Sequence, residues 1–150
     1  MIIQALIVVL SLAGLVLSSY FTLAYYGRIR KARWVPEILC AREGSSCVTV
    51  VQTPYARVFG VPNSILGILY YFALIAWTLR PDAWLAVNDW TTPRARAAWW
   101  LFLSVSASTV ALGFYLVYAL RRILHIDCPL CYTAHAINLA ILVLLCFLSW

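Results

Sequence analysis

Four long apolar stretches set the limits on how this sequence can fold. They are residues 2–26, 58–79, 95–120 and 128–150. Each holds at least the roughly 20 residues that a helix needs to cross a hydrocarbon layer about 30 Å thick. Hydrophobic residues make up 65% of the chain and charged residues 11%, whereas soluble domains average about 25% charged residues. The sequence therefore predicts an all-α, polytopic membrane protein with a single four-helix transmembrane domain over residues 1–150.

The basic excess does not indicate a nucleic-acid-binding protein. The formal net charge of +6 comes from 11 Lys and Arg residues against 5 Asp and Glu, and the basic residues gather near the ends of the apolar stretches. A nucleic-acid-binding domain instead arranges its basic residues over a soluble surface. We therefore expect these basic residues to lie at the lipid headgroups.

Four of the five cysteines are expected at a membrane surface. Cys40 and Cys47 lie in the long connection after the first apolar stretch, whose glycine and serines favour a turn. Cys128 and Cys131 form a Cys-Pro-Leu-Cys motif that opens the last stretch. Cys146 lies deep in that stretch among apolar residues, where we expect an inert filler.

The Cys-Pro-Leu-Cys motif has the features of a redox-active helix start. Asp127 can accept hydrogen bonds from first-turn amides, and Pro129 suits an early helical position because it lacks an N–H. Residues three apart share one helix face, so Cys128 and Cys131 can form a disulfide. The exposed amides and the helix dipole should lower the pKa of Cys128 most, because it lies closest to the helix end.

Two further polar residues extend the face of this helix. His135 and Asn138 follow Cys131 by four and seven residues, so they lie on one stripe with the cysteines. Polar groups within a membrane helix are costly and tend to face a bundle interior or a ligand. The alternative for both residues is a structural role, in which the side chain forms a hydrogen bond to a neighbouring helix.

Two other classes of protein remain as alternatives. Four cysteines can hold a structural zinc ion, but this needs both pairs in one closed cage, so we expect no metal. A non-catalytic membrane scaffold would use Cys40 and Cys47 as a static disulfide. Disulfide exchange instead needs a mobile pair that approaches a fixed one, and the predicted topology places both pairs on the same side of the membrane.

The order of the motifs resembles the vitamin K epoxide reductase family. A helix is followed by a loop with Cys40 and Cys47, by Thr53-Pro54-Tyr55, by Phe-Gly-Val-Pro-Asn-Ser-Ile-Leu-Gly at 59–67, by two more apolar stretches, and by Cys-Pro-Leu-Cys at 128–131. The unrelated DsbB-type oxidases also have four helices and two cysteine pairs, but in the reverse order. The resemblance covers nearly the whole chain.

The resemblance implies a thiol:quinone oxidoreductase that supports disulfide bond formation. Cys131 would face a bound quinone of the menaquinone, ubiquinone or vitamin K type, and Cys128 would be attacked by Cys47. Cys40 would exchange with a separate thioredoxin-like or DsbA-like protein. Asn63 matches the family asparagine that donates a hydrogen bond to a quinone oxygen, and Thr53 matches a family Ser or Thr near the loop.

Two departures leave alternatives open. His135 stands where animal members carry a tyrosine, and it can still form a hydrogen bond to a quinone carbonyl. Asn138 and Asp127 are the supporting residues of this site. The departure puts reduction of vitamin K epoxide as the main activity in doubt. The two connections on the side of the cysteines hold eight Lys and Arg residues and the opposite connection holds three, so the positive-inside rule predicts cytoplasmic cysteines. We favour the outer face of the cell membrane, where disulfides persist and where other members also carry basic loops.

Overall fold

A computed structural model describes residues 2–28, 47–58, 60–79 and 93–148. In chain order they form helix α1 (Ile2–Tyr25), short helix α2 (Cys47–Gln52), a 3₁₀ turn (Pro54–Ala56), strands β1 (Arg57–Val58) and β2 (Val61–Pro62), helix α3 (Asn63–Thr78), helix α4 (Pro93–Tyr118), a π-helical segment (Ala119–Leu124) and helix α5 (Pro129–Leu148).

Three of the described helices are long and apolar enough to cross a membrane. They are α1, the helical run Arg96–Leu124 that includes most of α4, and most of α5. Helix α3 is also apolar but has 16 residues, which at 1.5 Å per residue gives a length of about 24 Å. A mostly helical, multi-pass membrane protein is therefore confirmed, and the fourth crossing stays a prediction.

The second apolar stretch differs from its prediction, because its first residues are extended. The helix predicted from residue 58 begins at Asn63. Val58 pairs with Val61 in a two-stranded antiparallel ribbon, and Gly60 at its turn has a φ of +81°. An apolar run does not distinguish an extended segment from a helix, and Pro62 marks the change from one to the other.

Consecutive long helices run in opposite directions, as two apolar clusters show. The first cluster joins the end of α1 to the start of α5 and includes Phe21, Ala24, Val50, Val51, Leu120, Cys128, Leu130 and Cys131. The second joins the start of α1 to the ends of α3 and α5 and includes Ile7, Leu74, Ile141 and Leu145. Phe102 of early α4 packs on the second cluster, so α4 runs parallel to α1. The first cluster defines the cysteine end of the bundle.

Helices α1 and α3 approach closely at Gly14. A Cβ atom at this position would overlap the ring of Tyr71, so the absence of a side chain lets the aromatic ring lie directly on the α1 backbone. Small residues at helix interfaces permit such contacts within a membrane. The position of the Tyr71 ring is thereby fixed by the packing of two helices.

Candidate functional site

The Cys128–Cys131 pair lies at the start of α5, with Cys128 immediately before the first helical residue. The backbone N–H of Cys131 donates to Cys128 Sγ over 3.3 Å, so Cys128 itself caps the helix. Both side chains are buried, at 1% and 9% exposure. The pair is therefore shielded from bulk water at one end of the bundle.

The sequence predicted that Asp127 caps α5, but in the structure its carboxylate bonds a side chain of that helix. Its carboxylate accepts a hydrogen bond from the Tyr132 hydroxyl over 3.0 Å. Arg121 Nε donates to the same hydroxyl over 3.4 Å. Pro129 occupies the first helical position, so the capping position falls on Cys128, one residue later than predicted. The Tyr132 hydroxyl thus joins Asp127 and the start of α5 to Arg121 of the preceding π-helical segment.

Hydrogen bonding favours the thiolate form of Cys128, which lies just outside the membrane-spanning helix. The Cys131 thiol is the main cause that lowers the pKa of Cys128, and the backbone N–H groups of Cys131 and Leu130 act in the same direction, against the effect of burial. The direction agrees with the prediction. The prediction attributed it to the helix end alone, whereas the neighbouring thiol contributes most.

A cavity of about 610 Å³ lies between helices α1, α3, α4 and α5 and extends to Cys131. Residues of α2 and of the ribbon, including Val51 and Pro62, contribute to its lining. Cys131 lines this cavity and Cys128 does not. The lining is mainly apolar, and its polar side chains include Asn63, His135 and Asn138. Three of the residues singled out from the sequence therefore share one cavity with Cys131.

Asn63 is the first residue of α3, where the ribbon ends. Its side-chain oxygen and nitrogen are both buried and have no hydrogen-bond partner among the described residues. Buried amides in native structures are normally paired, and leaving one unpaired costs about 1–3 kcal/mol. Because Asn63 lines the cavity, its amide is suited to a polar group of a bound molecule.

His135 lies one turn beyond Cys131 and has one ring nitrogen against α4. Its Nδ1 is buried and has no hydrogen-bond partner in the described part of the chain. A Cβ atom placed at Gly113 would lie only 2.8 Å from this nitrogen. Gly113 thus makes room for the imidazole beside the cavity that both residues line.

Asn138 is held from across the cavity by a residue that the sequence did not single out. The Tyr71 hydroxyl donates to Asn138 Oδ1 over 2.6 Å, which joins α3 to α5. A tyrosine buried within an apolar stretch needs a partner for its hydroxyl, and this was the available signal. Sequence reasoning could not identify the partner, since 67 residues separate the two positions.

Thr53 lies outside the cavity lining and has a local role. Its Oγ1 donates to the Val50 carbonyl oxygen over 2.7 Å, at the end of α2. The backbone N–H of Ala56 donates to the Thr53 carbonyl oxygen. Thr53 therefore stabilises the turn that leads from α2 into the ribbon above the cavity.

The loop pair is described only in part. Cys40 and the side chain of Cys47 lie outside the described residues, while the Cys47 backbone begins α2. Val50 and Val51 of this short helix belong to the same buried cluster as Cys128 and Cys131. Among the described residues, no group of three or more His, Cys, Asp and Glu side chains is placed to hold a metal ion.

The comparison with protein families matches this chain over nearly its whole length. The model of the vitamin K epoxide reductase family matches residues 5–146. The matched range includes every site residue discussed above. The match confirms the resemblance inferred from the order of the sequence motifs.

Proposed function

The chain belongs to the vitamin K epoxide reductase family, whose members are membrane oxidoreductases with thiol and quinone chemistry, and from that premise we propose that it is a thiol:quinone oxidoreductase. It oxidises the dithiol of a separate thioredoxin-like protein and reduces a quinone. Two electrons pass through Cys40–Cys47 and then Cys128–Cys131. The net reaction converts a partner dithiol and a quinone into a partner disulfide and a quinol, so atoms and electrons balance.

One observation carries the proposal: only one sulfur of the buried pair lines the cavity. Cys131 lines it together with the unpaired amide of Asn63 and with His135. Cys128 does not line the cavity, although both sulfurs pack in the cluster that holds Val50 and Val51 of α2. This division supports a separate role for each sulfur, with Cys131 reacting toward the cavity and Cys128 exchanging with the loop thiol Cys47.

The hydrogen bond between the two thiols supports the order of events. The Cys131 thiol donates to Cys128, which carries the lowered pKa. The Cys131 sulfur, which faces the cavity, bonds to the acceptor while its proton passes to an acceptor oxygen, so Cys128 keeps its negative charge. The Cys128 thiolate then attacks Cys131 and closes their disulfide. The bond from Cys131 to the acceptor breaks, its electron pair leaves with the acceptor, and one proton from water completes the quinol. Reduced Cys47 reopens it by attacking Cys128, through a mixed disulfide.

Asn63 and His135 supply hydrogen bonds to the acceptor's carbonyl oxygens. A fixed donor aimed at an oxygen that gains negative charge in a dry site contributes about 3–4 kcal/mol in mutational precedents. For His135 the buried Nδ1 has no described partner, and an unpaired nitrogen lone pair there costs less than an unpaired N–H would. We assign the imidazole proton to Nε2, which leaves this N–H to donate to the acceptor.

Four crossings complete the proposed topology, with α3 as the shortest. The ribbon that precedes α3 adds to the depth that this segment spans. The bilayer can also thin locally around a short apolar helix. Both cysteine pairs then lie on one side, which we assign to the outer face of the cell membrane. Labelling Cys40 with a membrane-impermeant thiol reagent, in intact and in opened cells, tests this assignment.

The decisive experiment couples the two half-reactions in purified protein. The reconstituted protein is mixed with a reduced thioredoxin-like protein and a quinone, and quinol formation is followed spectroscopically. We expect quinol and partner disulfide in equal amounts. A static scaffold gives no quinol, which would overturn the proposal, and vitamin K epoxide offered as the oxidant tests the remaining alternative activity.

A further inference from the structure

We propose that Tyr71 is a positioning residue for the acceptor and that Asn138 is the group it positions. This inference rests on the proposed function and adds a hydrogen bond to the acceptor site. Asn138 donates from Nδ2 to the carbonyl oxygen on the α5 side of the acceptor ring, the oxygen that His135 also reaches. Asn63 on α3 serves the other carbonyl oxygen.

The hydrogen bond between Tyr71 and Asn138 fixes the direction of the amide. Because the Tyr71 hydroxyl donates to Oδ1 over 2.6 Å, the carbonyl end of the amide is committed to α3. The N–H groups on Nδ2 are left to donate, and Asn138 lines the cavity. A carboxamide that could rotate would present either a donor or an acceptor to a ligand, and this contact selects the donor.

Packing holds Tyr71 itself in place. The side chain is 2% exposed, and its ring lies so close to α1 that a Cβ at Gly14 would overlap it. The hydroxyl therefore has little freedom to leave Asn138. Pre-organised donors do not need to reorient when the ligand binds or reacts.

The placement on α5 sets which oxygen Asn138 reaches. His135 and Asn138 are three residues apart on one helix, so their side chains are neighbours on the same face. A carbonyl oxygen has two lone pairs and accepts from two donors. Cys131, one turn before His135, lies on that same face and lines the same cavity.

The test compares Tyr71→Phe, Asn138→Leu and the double variant in reconstituted protein, with dithiothreitol as the dithiol. The acceptors are ubiquinone-1 and menaquinone-1. Tyr71→Phe keeps the ring and removes only the hydroxyl, so we expect KM for the acceptor to rise about three- to tenfold, the effect of one hydrogen bond, with a smaller change in kcat. The double variant should lose no more than Asn138→Leu alone.

Thr78→Val is the matched control. It removes another buried hydroxyl of α3, one that bonds the Leu74 carbonyl oxygen and lies outside the cavity lining. We expect it to leave KM unchanged. If Thr78→Val and Tyr71→Phe raised KM equally, the effect would be general loosening of α3 and the inference would be overturned.

An infrared measurement separates positioning from folding. In a Cys131→Ala background, which keeps the bound quinone oxidised, ¹³C-carbonyl-labelled quinone should show one carbonyl band at higher frequency after Tyr71→Phe. An unchanged spectrum, or additive losses in the double variant, would overturn the inference. If wild-type protein reduced neither quinone, the proposed function would fail first, which is a distinguishable result.

Discussion

The imidazole of His135 lies directly on the backbone of α4 at Gly113, where a Cβ atom would come within 2.8 Å of Nδ1. The absence of a side chain at Gly113 therefore lets the imidazole lie against α4, away from the centre of the cavity. We predict that Gly113→Ala pushes the ring toward the acceptor and lowers kcat/KM for quinone about fivefold, since an off-rotamer side chain costs about 1 kcal/mol. Steady-state quinol formation measures the loss.

A second background separates this steric effect from damage to the helix interface. In a His135→Ala protein, the added methyl group meets no imidazole, so Gly113→Ala should cause no further loss. An equal loss in both backgrounds would mean that Gly113 matters for the packing of α4 on α5 and not for His135.

Asn63→Leu should impair the quinone step selectively. Loss of a fixed donor worth about 3 kcal/mol lowers kcat roughly a hundredfold, while thiol–disulfide exchange with the partner protein is kept. Quinol formation and a single-turnover exchange assay measure the two steps separately. Thr133→Val serves as the control, because Thr133 is exposed on α5 and bonds the Pro129 carbonyl oxygen. A parallel fall of both steps would point to misfolding.

Replacing Cys131 should expose the relay between the cysteine pairs. Cys131→Ala should abolish quinone reduction, and Cys131→Ser should trap Cys47 and Cys128 as a stable disulfide. Non-reducing peptide mapping by mass spectrometry detects this linkage. Cys146→Ser, in an apolar part of α5, should leave quinone reduction unchanged. If the Cys47–Cys128 peptide never appeared under these conditions, the relay would be wrong.

The thiol of Cys131 should control the pH dependence of Cys128. Its hydrogen bond lowers the pKa of Cys128, so removal of the donor should move Cys128 reactivity to higher pH. The variants compared keep Cys128 as their only cysteine, with serine at the other cysteine positions and alanine or serine at 131. With alanine at 131, Cys128 should react with a small methanethiosulfonate at higher pH than with serine at 131, because the serine hydroxyl still donates to Cys128. Coinciding profiles would assign the lowered pKa to the backbone amides alone.

The sequence predicted the parts of this protein that depend on local chemistry. Proline at 129 placed the start of α5 within one residue. Helical spacing predicted one stripe for Cys128, Cys131, His135 and Asn138, of which the last three line the cavity and Cys128 does not. The match to the family confirmed the resemblance drawn from the motif order. These inferences use residue type and periodicity, which act over a few residues.

Contacts between distant segments could not be predicted in the same way. The length of α3 was overestimated because apolar composition does not distinguish the ribbon at Val58 and Val61 from a helix. The partnership of Tyr71 with Asn138 depends on how three helices pack around Gly14. Such contacts follow from tertiary packing, which single-chain patterns do not specify.

Asn63 opens α3, and Cys131 lies in the first turn of α5, so in the proposed topology this end of the cavity lies near the membrane surface. A hydrophobic acceptor can keep its tail among the acyl chains while its ring rises to that depth. Interfacial water is then near enough to take up protons from the thiols and to return them to the quinol. The proposed reaction therefore needs no proton wire across the bilayer and, in the proposed topology, moves no charge through it.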